Sequence, residues 1–135
     1  MLVLAWLGIG FRAVRLEDQA QGTIDRALDG PVSDTDFRGA QDNLREAGDY
    51  SPDQGPMIKY GQLLAAVGKR READFVARAV TLDEPDNLQA WYLAWVADPN
   101  PASREHALDE LLRLNPFMEV TLGLRDCLHC PLKER

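Results

Sequence analysis

With 135 residues, 45% of them hydrophobic and 27% charged, the chain has the composition of one folded domain rather than of a disordered segment. Fifteen Lys and Arg stand against 22 Asp and Glu, a formal charge of -7, which disfavours nonspecific nucleic-acid binding and a polybasic membrane contact. The two cysteines, Cys127 and Cys130, sit near the C-terminus and exclude a disulfide framework for the body.

Residues 1–11 (MLVLAWLGIGF) are apolar. They are too few to span a bilayer, which takes roughly 20 such residues. No basic stretch precedes them and no A-x-A site follows, so they make a poor secretion signal. Arg12 and Arg15 come next. The sequence admits two readings of this start, a buried terminal helix or the flank of a membrane segment. Leu2, Trp6, Ile9, Ala13, Leu16, Ala20, Ile24 and Ala27 recur every three or four residues. That spacing predicts a long helix over 2–28, within an N-terminal unit of residues 1–30. Gly22 is a point where it bends or breaks, and Gly30-Pro31 is its stop.

Asp34 or Thr35 is expected to cap a second helix with Phe37, Ala40, Leu44 and Ala47 on its apolar face and Gly48 at its end. Ser51-Pro52 reads as the N-cap and first turn of a third helix. Its apolar positions are Met57, Tyr60, Gly61, Leu64 and Val67, and Gly68 closes it. A fourth helix is predicted over 70–82, with Ala73, Ala77 and Val80 inward, and a fifth over about 88–97 through Leu88, Trp91, Tyr92 and Trp95. Asp98-Pro99-Asn100-Pro101 must break the chain. Ser103 is expected to cap a sixth helix carrying Ala107, Leu111 and Leu114. A seventh, over 117–128, would cap the C-terminal end, with 129–135 as a flexible tail. No segment sustains strand alternation. The expected fold is all-α, a single domain of about seven helices with its core in residues 34–116.

Beneath the helices lies a period. Ala40, Leu44, Ala47 and Pro52 are followed by Ala73, Ala77, Val80 and Pro85, and then by Ala107, Leu111, Leu114 and Pro116; the prolines fall 33 and 31 residues apart. Such a period points to stacked helical hairpins, each too small to bury its apolar face alone. The unit at 54–87 is the best formed, with Tyr60-Gly61, Leu64, Gly68, Ala73, Ala77 and Pro85 and the ending AVTLDEPDN. In these residues the chain resembles the tetratricopeptide repeat family, over roughly residues 21–118. The first unit matches in its second helix only. The third departs from the pattern, with Trp95 where a small residue belongs and a shortened second helix, before LLRLNP restores the family ending.

The resemblance implies tetratricopeptide-like stacked antiparallel hairpins and a noncatalytic interaction scaffold or adaptor. Its first helices would line a groove for a peptide or a partner helix, here from residues 53–64 and 87–95. Lys59, Gln62, Asn87, Gln89 and Tyr92 are the candidate groove residues. The competing reading of each is a solvated polar side chain. Trp91 and Trp95 share a helix face while Tyr92 is turned about 100° away. Core packing suits both tryptophans, and Trp95 or Tyr92 is the candidate exposed anchor. Self-association through the N-terminal apolar helix is a further way to engage a partner.

Reactive chemistry is confined to Cys127, His129 and Cys130, at most three ligands where structural zinc wants four. A Cys-x-x-Cys is redox-poised at a helix start, whereas this pair follows a predicted helix. Two terminal thiols without a catalytic role are the simpler reading; a thiol redox or zinc-dependent protein is the chemical alternative. The scattered acidic groups, such as Asp83, Glu84 and Asp86, face no base, and no phosphate loop or catalytic motif is present. The sequence therefore predicts no enzyme, no cofactor and no nucleic-acid partner, and a cytoplasmic location. The alternative location is the membrane, where the chain would be the soluble tail of an envelope protein.

Overall fold

In the computed structural model the described residues are 2–116, with side chains from Phe11 onward. All of their regular structure is helical: α1 (Leu2–Asp29), α2 (Asp34–Tyr50), α3 (Gly55–Ala66), α4 (Arg70–Asp83), α5 (Leu88–Ala97) and α6 (Pro101–Leu114). The described residues thus hold six helices rather than about seven. The expected seventh helix over 117–128, the tail and the cluster of Cys127, His129 and Cys130 lie outside them. No described helix is long and apolar enough to cross a membrane.

Gly22 does not break α1. The helix runs through it to Asp29, since one exposed glycine in a long packed helix costs only about 1 kcal/mol. The cap of α2 is Ser33, not Asp34 or Thr35. Its hydroxyl accepts from the Asp36 amide at 3.1 Å and donates to the Asp36 carboxylate at 2.8 Å. Asp34 and Asp36 then sit in the first turn, where a negative charge faces the positive end of the helix. Ser33→Ala is expected to cost about 1 kcal/mol. Thr35→Ala should stay within about 0.5 kcal/mol, as exposed positions away from caps do. Urea unfolding of the two variants checks the assignment, and a larger loss at Thr35 would refute it.

Gly48 does not end α2, which continues to Tyr50. Ser51 is its C-cap rather than an N-cap, and α3 starts four residues later with Gln54 before it and Pro56 in its first turn. Gly68 does close α3. Its φ of +82° lets the Gly68 amide reach the Ala65 carbonyl (3.1 Å) while the Lys69 amide reaches Leu64 (2.8 Å), the double bond of a Schellman turn. The cap of α6 is Asn100, not Ser103, with Pro101 in the first turn where its missing amide is not needed.

The core is built where the three- and four-residue periods put it. Ala20 and Ile24 of α1 meet Ala40 and Leu44 of α2 and Leu63 of α3. Leu64 of α3, Ala73, Val76 and Ala77 of α4, Leu93, Ala94 and Ala97 of α5 and Ala107 of α6 form a second cluster. Each buried Leu or Ile stabilises by roughly 1.5–3 kcal/mol over its exposed state. The alanines add little area, but they let helices approach closely. Met57 departs from the expected inward face. It is exposed, and Pro56, Ile58 and Leu63 are buried with Gly61 and Leu64.

Cross-helix pairs set the direction of α1 and α2: Arg26–Asp36 at 3.7 Å, Gln19–Asn43 at 3.4 Å and Arg12–Glu46. As one partner rises in number the other falls, so the two helices are antiparallel. Each helix packs on the next in sequence. In addition α1 packs on α3 and α3 on α5, whereas α2, α4 and α6 do not reach one another. Helices that touch along one side and part along the other bend a stack, so the odd-numbered helices form its inner side.

Candidate functional site

The inner side is defined by what surrounds α3 and α5. Around α3, Lys59 and Leu63 meet α1, Tyr60 meets α2 and Gly61 meets α4 and α5. At roughly 100° per residue, the arc left open between α1 and α5 carries Gln62 and Ala66. Around α5, Leu93 faces α3, Asp98 faces α4, and Trp91 and Trp95 face α6. The arc that remains carries Gln89 and Tyr92, both exposed.

The five groove candidates and the anchor candidate Trp95 are therefore in different situations. Gln62 is half-buried on the inner arc. Lys59 is tied to Glu17 of α1, Nζ to Oε2 at 3.1 Å, with both side chains mostly buried. Asn87 is the N-cap of α5. Its Oδ1 accepts from the Gln89 and Ala90 amides, each at 3.1 Å, and its Nδ2 donates to Glu84 at 2.6 Å, so the whole amide is engaged. Tyr92 is 42% exposed. Its ring centroid lies 5.9 Å from that of Trp95, which is half-buried against the core. The Arg104 guanidinium of α6 stands 5.4 Å from the Trp95 centroid, close enough for a cation–π contact.

The outer side holds a feature that sequence spacing did not suggest. Over α5, the gap between α4 and α6 is a cleft of about 520 Å³ whose walls include Arg78, Leu82, Trp91, Asp98, Ser103 and His106. Arg78 donates to Asp74 at 2.9 Å through Nε and to the buried Asp98 at 2.7 Å through Nη2. Hydrogen bonding and charge from Asp74, and then from Asp98, push the guanidinium pKa further up from its usual value. The other Asp74 oxygen is buried without a hydrogen-bond partner. Twenty residues separate Arg78 from Asp98, so no helical spacing links them. The arrangement is a charge clamp from α4 to the α5–α6 link. A second cleft, of about 470 Å³, lies against Leu44, Gly48, Pro52, Met57 and Tyr60.

No family model, curated protein or solved structure matches this chain. Among the described residues no three His, Cys, Asp or Glu side chains come together as metal ligands would. The acidic turn before α5 is used structurally. Arg113 of α6 donates to Asp86 at 2.9 Å and to Glu110 at 2.7 Å, and the Trp91 indole donates to the Pro85 carbonyl at 2.8 Å. Trp91 also meets His106 edge to face at 5.5 Å. Both tryptophans of α5 thus seat α6, and Tyr92 is the aromatic side chain of that helix left most open to a partner.

Proposed function

We propose that this chain is a noncatalytic helical-repeat interaction module of the tetratricopeptide kind, which receives a partner on its inner side. The carrying observation is the packing order. The odd-numbered helices touch in sequence, the even-numbered ones are parted, and Gln62, Gln89 and Tyr92 lie on the arcs that this packing leaves open. The three hairpins α1–α2, α3–α4 and α5–α6 are the repeat units of this reading. Tyr92 is its anchor: a large ring with a hydroxyl, braced by Trp95, that loses little freedom on being covered. With three hairpins the inner side is short, and it suits a helix or a compact partner surface better than a long extended peptide.

The outer face of α4 offers a built-in control. Phe75 and Leu82, one face apart by seven residues, are 75% and 83% exposed. A photo-reactive phenylalanine analogue placed at Tyr92 in the full-length chain, expressed in its own cells, should yield one defined protein adduct on irradiation. The same analogue at Phe75 should not yield that adduct. Adducts from Phe75 with none from Tyr92 would move the partner to the outer side and overturn the reading.

A further inference from the structure

We propose that residues 2–11 of α1 insert into the hydrocarbon of a lipid bilayer, with the helical body standing at its surface. The register of the first hairpin is the starting point. Arg12 pairs with Glu46 and lies over the Tyr50 ring, 5.4 Å from its centroid, so α2 ends at the level of Arg12. Lys59, in the second turn of α3, meets Glu17, and Leu63 packs with Ala20 and Ile24. The start of α3 therefore lies no further along α1 than its second and third turns beyond residue 11. Among the described helices α1 packs on α2 and α3 alone. Residues 2–11 continue as helix past the ends of both, an overhang of about 15 Å at 1.5 Å per residue.

What covers this overhang follows from its composition. The sequence LVLAWLGIGF has no charged side chain, and its one polar side-chain group is the indole N–H of Trp6. A second copy packed beside a helix covers one stripe and leaves the rest to water, which is why paired helices keep a polar face. This stretch has no such face at any rotation. Lipid covers a helix on all sides. The body at its base has the features of an interface. Phe11 and Val14 are 72% and 57% exposed, Tyr50 and Met57 are exposed, and Arg12 and Arg15 are exposed among them. Arginine and tyrosine at the boundary, with apolar side chains just inside it, are the usual surroundings of an inserted helix.

Charge defines the kind of membrane contact. Glu46 pairs with Arg12, Glu17 and Asp18 follow Arg15 in sequence, and the chain as a whole carries -7. Attraction to anionic headgroups is therefore not the driving force. Apolar insertion is, and it is independent of the inner-side groove.

The test uses the full chain and phosphatidylcholine vesicles in a flotation assay. The wild-type chain should float with the vesicles. Added salt should not release it, and phosphatidylserine should not strengthen the binding. Leu4→Asp combined with Leu7→Asp should lower the partition coefficient at least about tenfold. Its urea midpoint should stay unchanged, because the substituted turns lie beyond the packed body. Gly8→Leu adds apolar surface and should raise partitioning. Failure of the wild-type chain to float, flotation that needs phosphatidylserine, or equal flotation of the aspartate variant would each overturn the proposal. So would a discrete oligomer in lipid-free buffer that Gly8→Leu breaks, since a second copy packed against the glycine would then be the cover.

Discussion

Gly61→Val is expected to destabilise the chain by about 3 kcal/mol, the upper end of overpacking costs. A Cβ at Gly61 would fall 2.3 Å from Cδ2 of Leu93 and 3.1 Å from Cγ1 of Val76. Leu93 is 2% exposed and held in the cluster that joins α3, α4, α5 and α6, so its methyl cannot swing clear without moving α5. Gly61→Ala should cost less, because alanine recovers about 1 kcal/mol of helix propensity against the same contact. The decisive comparison is in a Leu93→Ala background, which itself should cost about 2–5 kcal/mol. There the obstructing side chain is gone, and Gly61→Ala should become neutral or stabilising. Urea unfolding of the four chains measures this change of sign. An equal penalty for Gly61→Ala in both backgrounds would show that α3 and α5 do not meet through these two residues.

That contact also explains how far the fold could be read from sequence. The period that predicts Ala40, Leu44 and Ala47, or Ala73, Ala77 and Val80, as a buried face rests on geometry within one helix, and those residues are buried. Helix α5 has the bounds expected of it because polar turns with prolines fence it on both sides. The caps were harder. Ser33, Asp34 and Thr35 can all cap, and the backbone decides: Ser33 is extended (φ -67°, ψ 152°) while α2 already begins at Asp34. Ser51-Pro52 suits the end of one helix as well as the start of the next. The third helix was misread at Met57 because its buried face is chosen by four neighbours, α1, α2, α4 and α5, which local spacing does not locate.

Around the candidate site the boundary is similar. Turning Tyr92 away from Trp91 and Trp95 required only the helical angle, and those tryptophans do face α6. The pair Lys59–Glu17 joins residues of α3 and α1, and the engagement of Asn87 depends on Glu84 and on the turn into α5. The first is a tertiary contact; the second is local, since every partner of Asn87 lies within three residues of it. They leave Gln62, Gln89 and Tyr92 as the polar and aromatic candidates whose side chains have fewer duties within the body.

The second large effect is expected at Asp98, where Asp98→Ala should cost about 2–4 kcal/mol, within the range for buried charged hydrogen bonds lost together. Asp98 is 4% exposed and does two things. One oxygen accepts from the Asn100 amide at 2.7 Å, shaping the Pro99 turn that delivers Asn100 to cap α6. The other accepts from Arg78 at 2.7 Å, tying α4 to that turn. Asp98→Asn keeps an acceptor for the Asn100 amide and loses the charge, so it should cost less than Asp98→Ala. Arg78 is more than half exposed and keeps water as a partner, so its side of the ion pair is discounted by screening. Arg78→Ala should accordingly cost about 1–2 kcal/mol, mostly from leaving Asp98 with one partner fewer. The double variant Arg78→Ala, Asp98→Ala should lose less than the two single losses combined, by about 1 kcal/mol. Because its neighbours raise the Arg78 pKa above an already high value, that charge stays in place at every working pH and is lost only in strong alkali. Urea unfolding of the wild type and the four variants, with amide exchange across Asn100 and Ala102, separates the turn from the clamp. Unchanged exchange there in Asp98→Ala would mean that Asp98 does not order the start of α6.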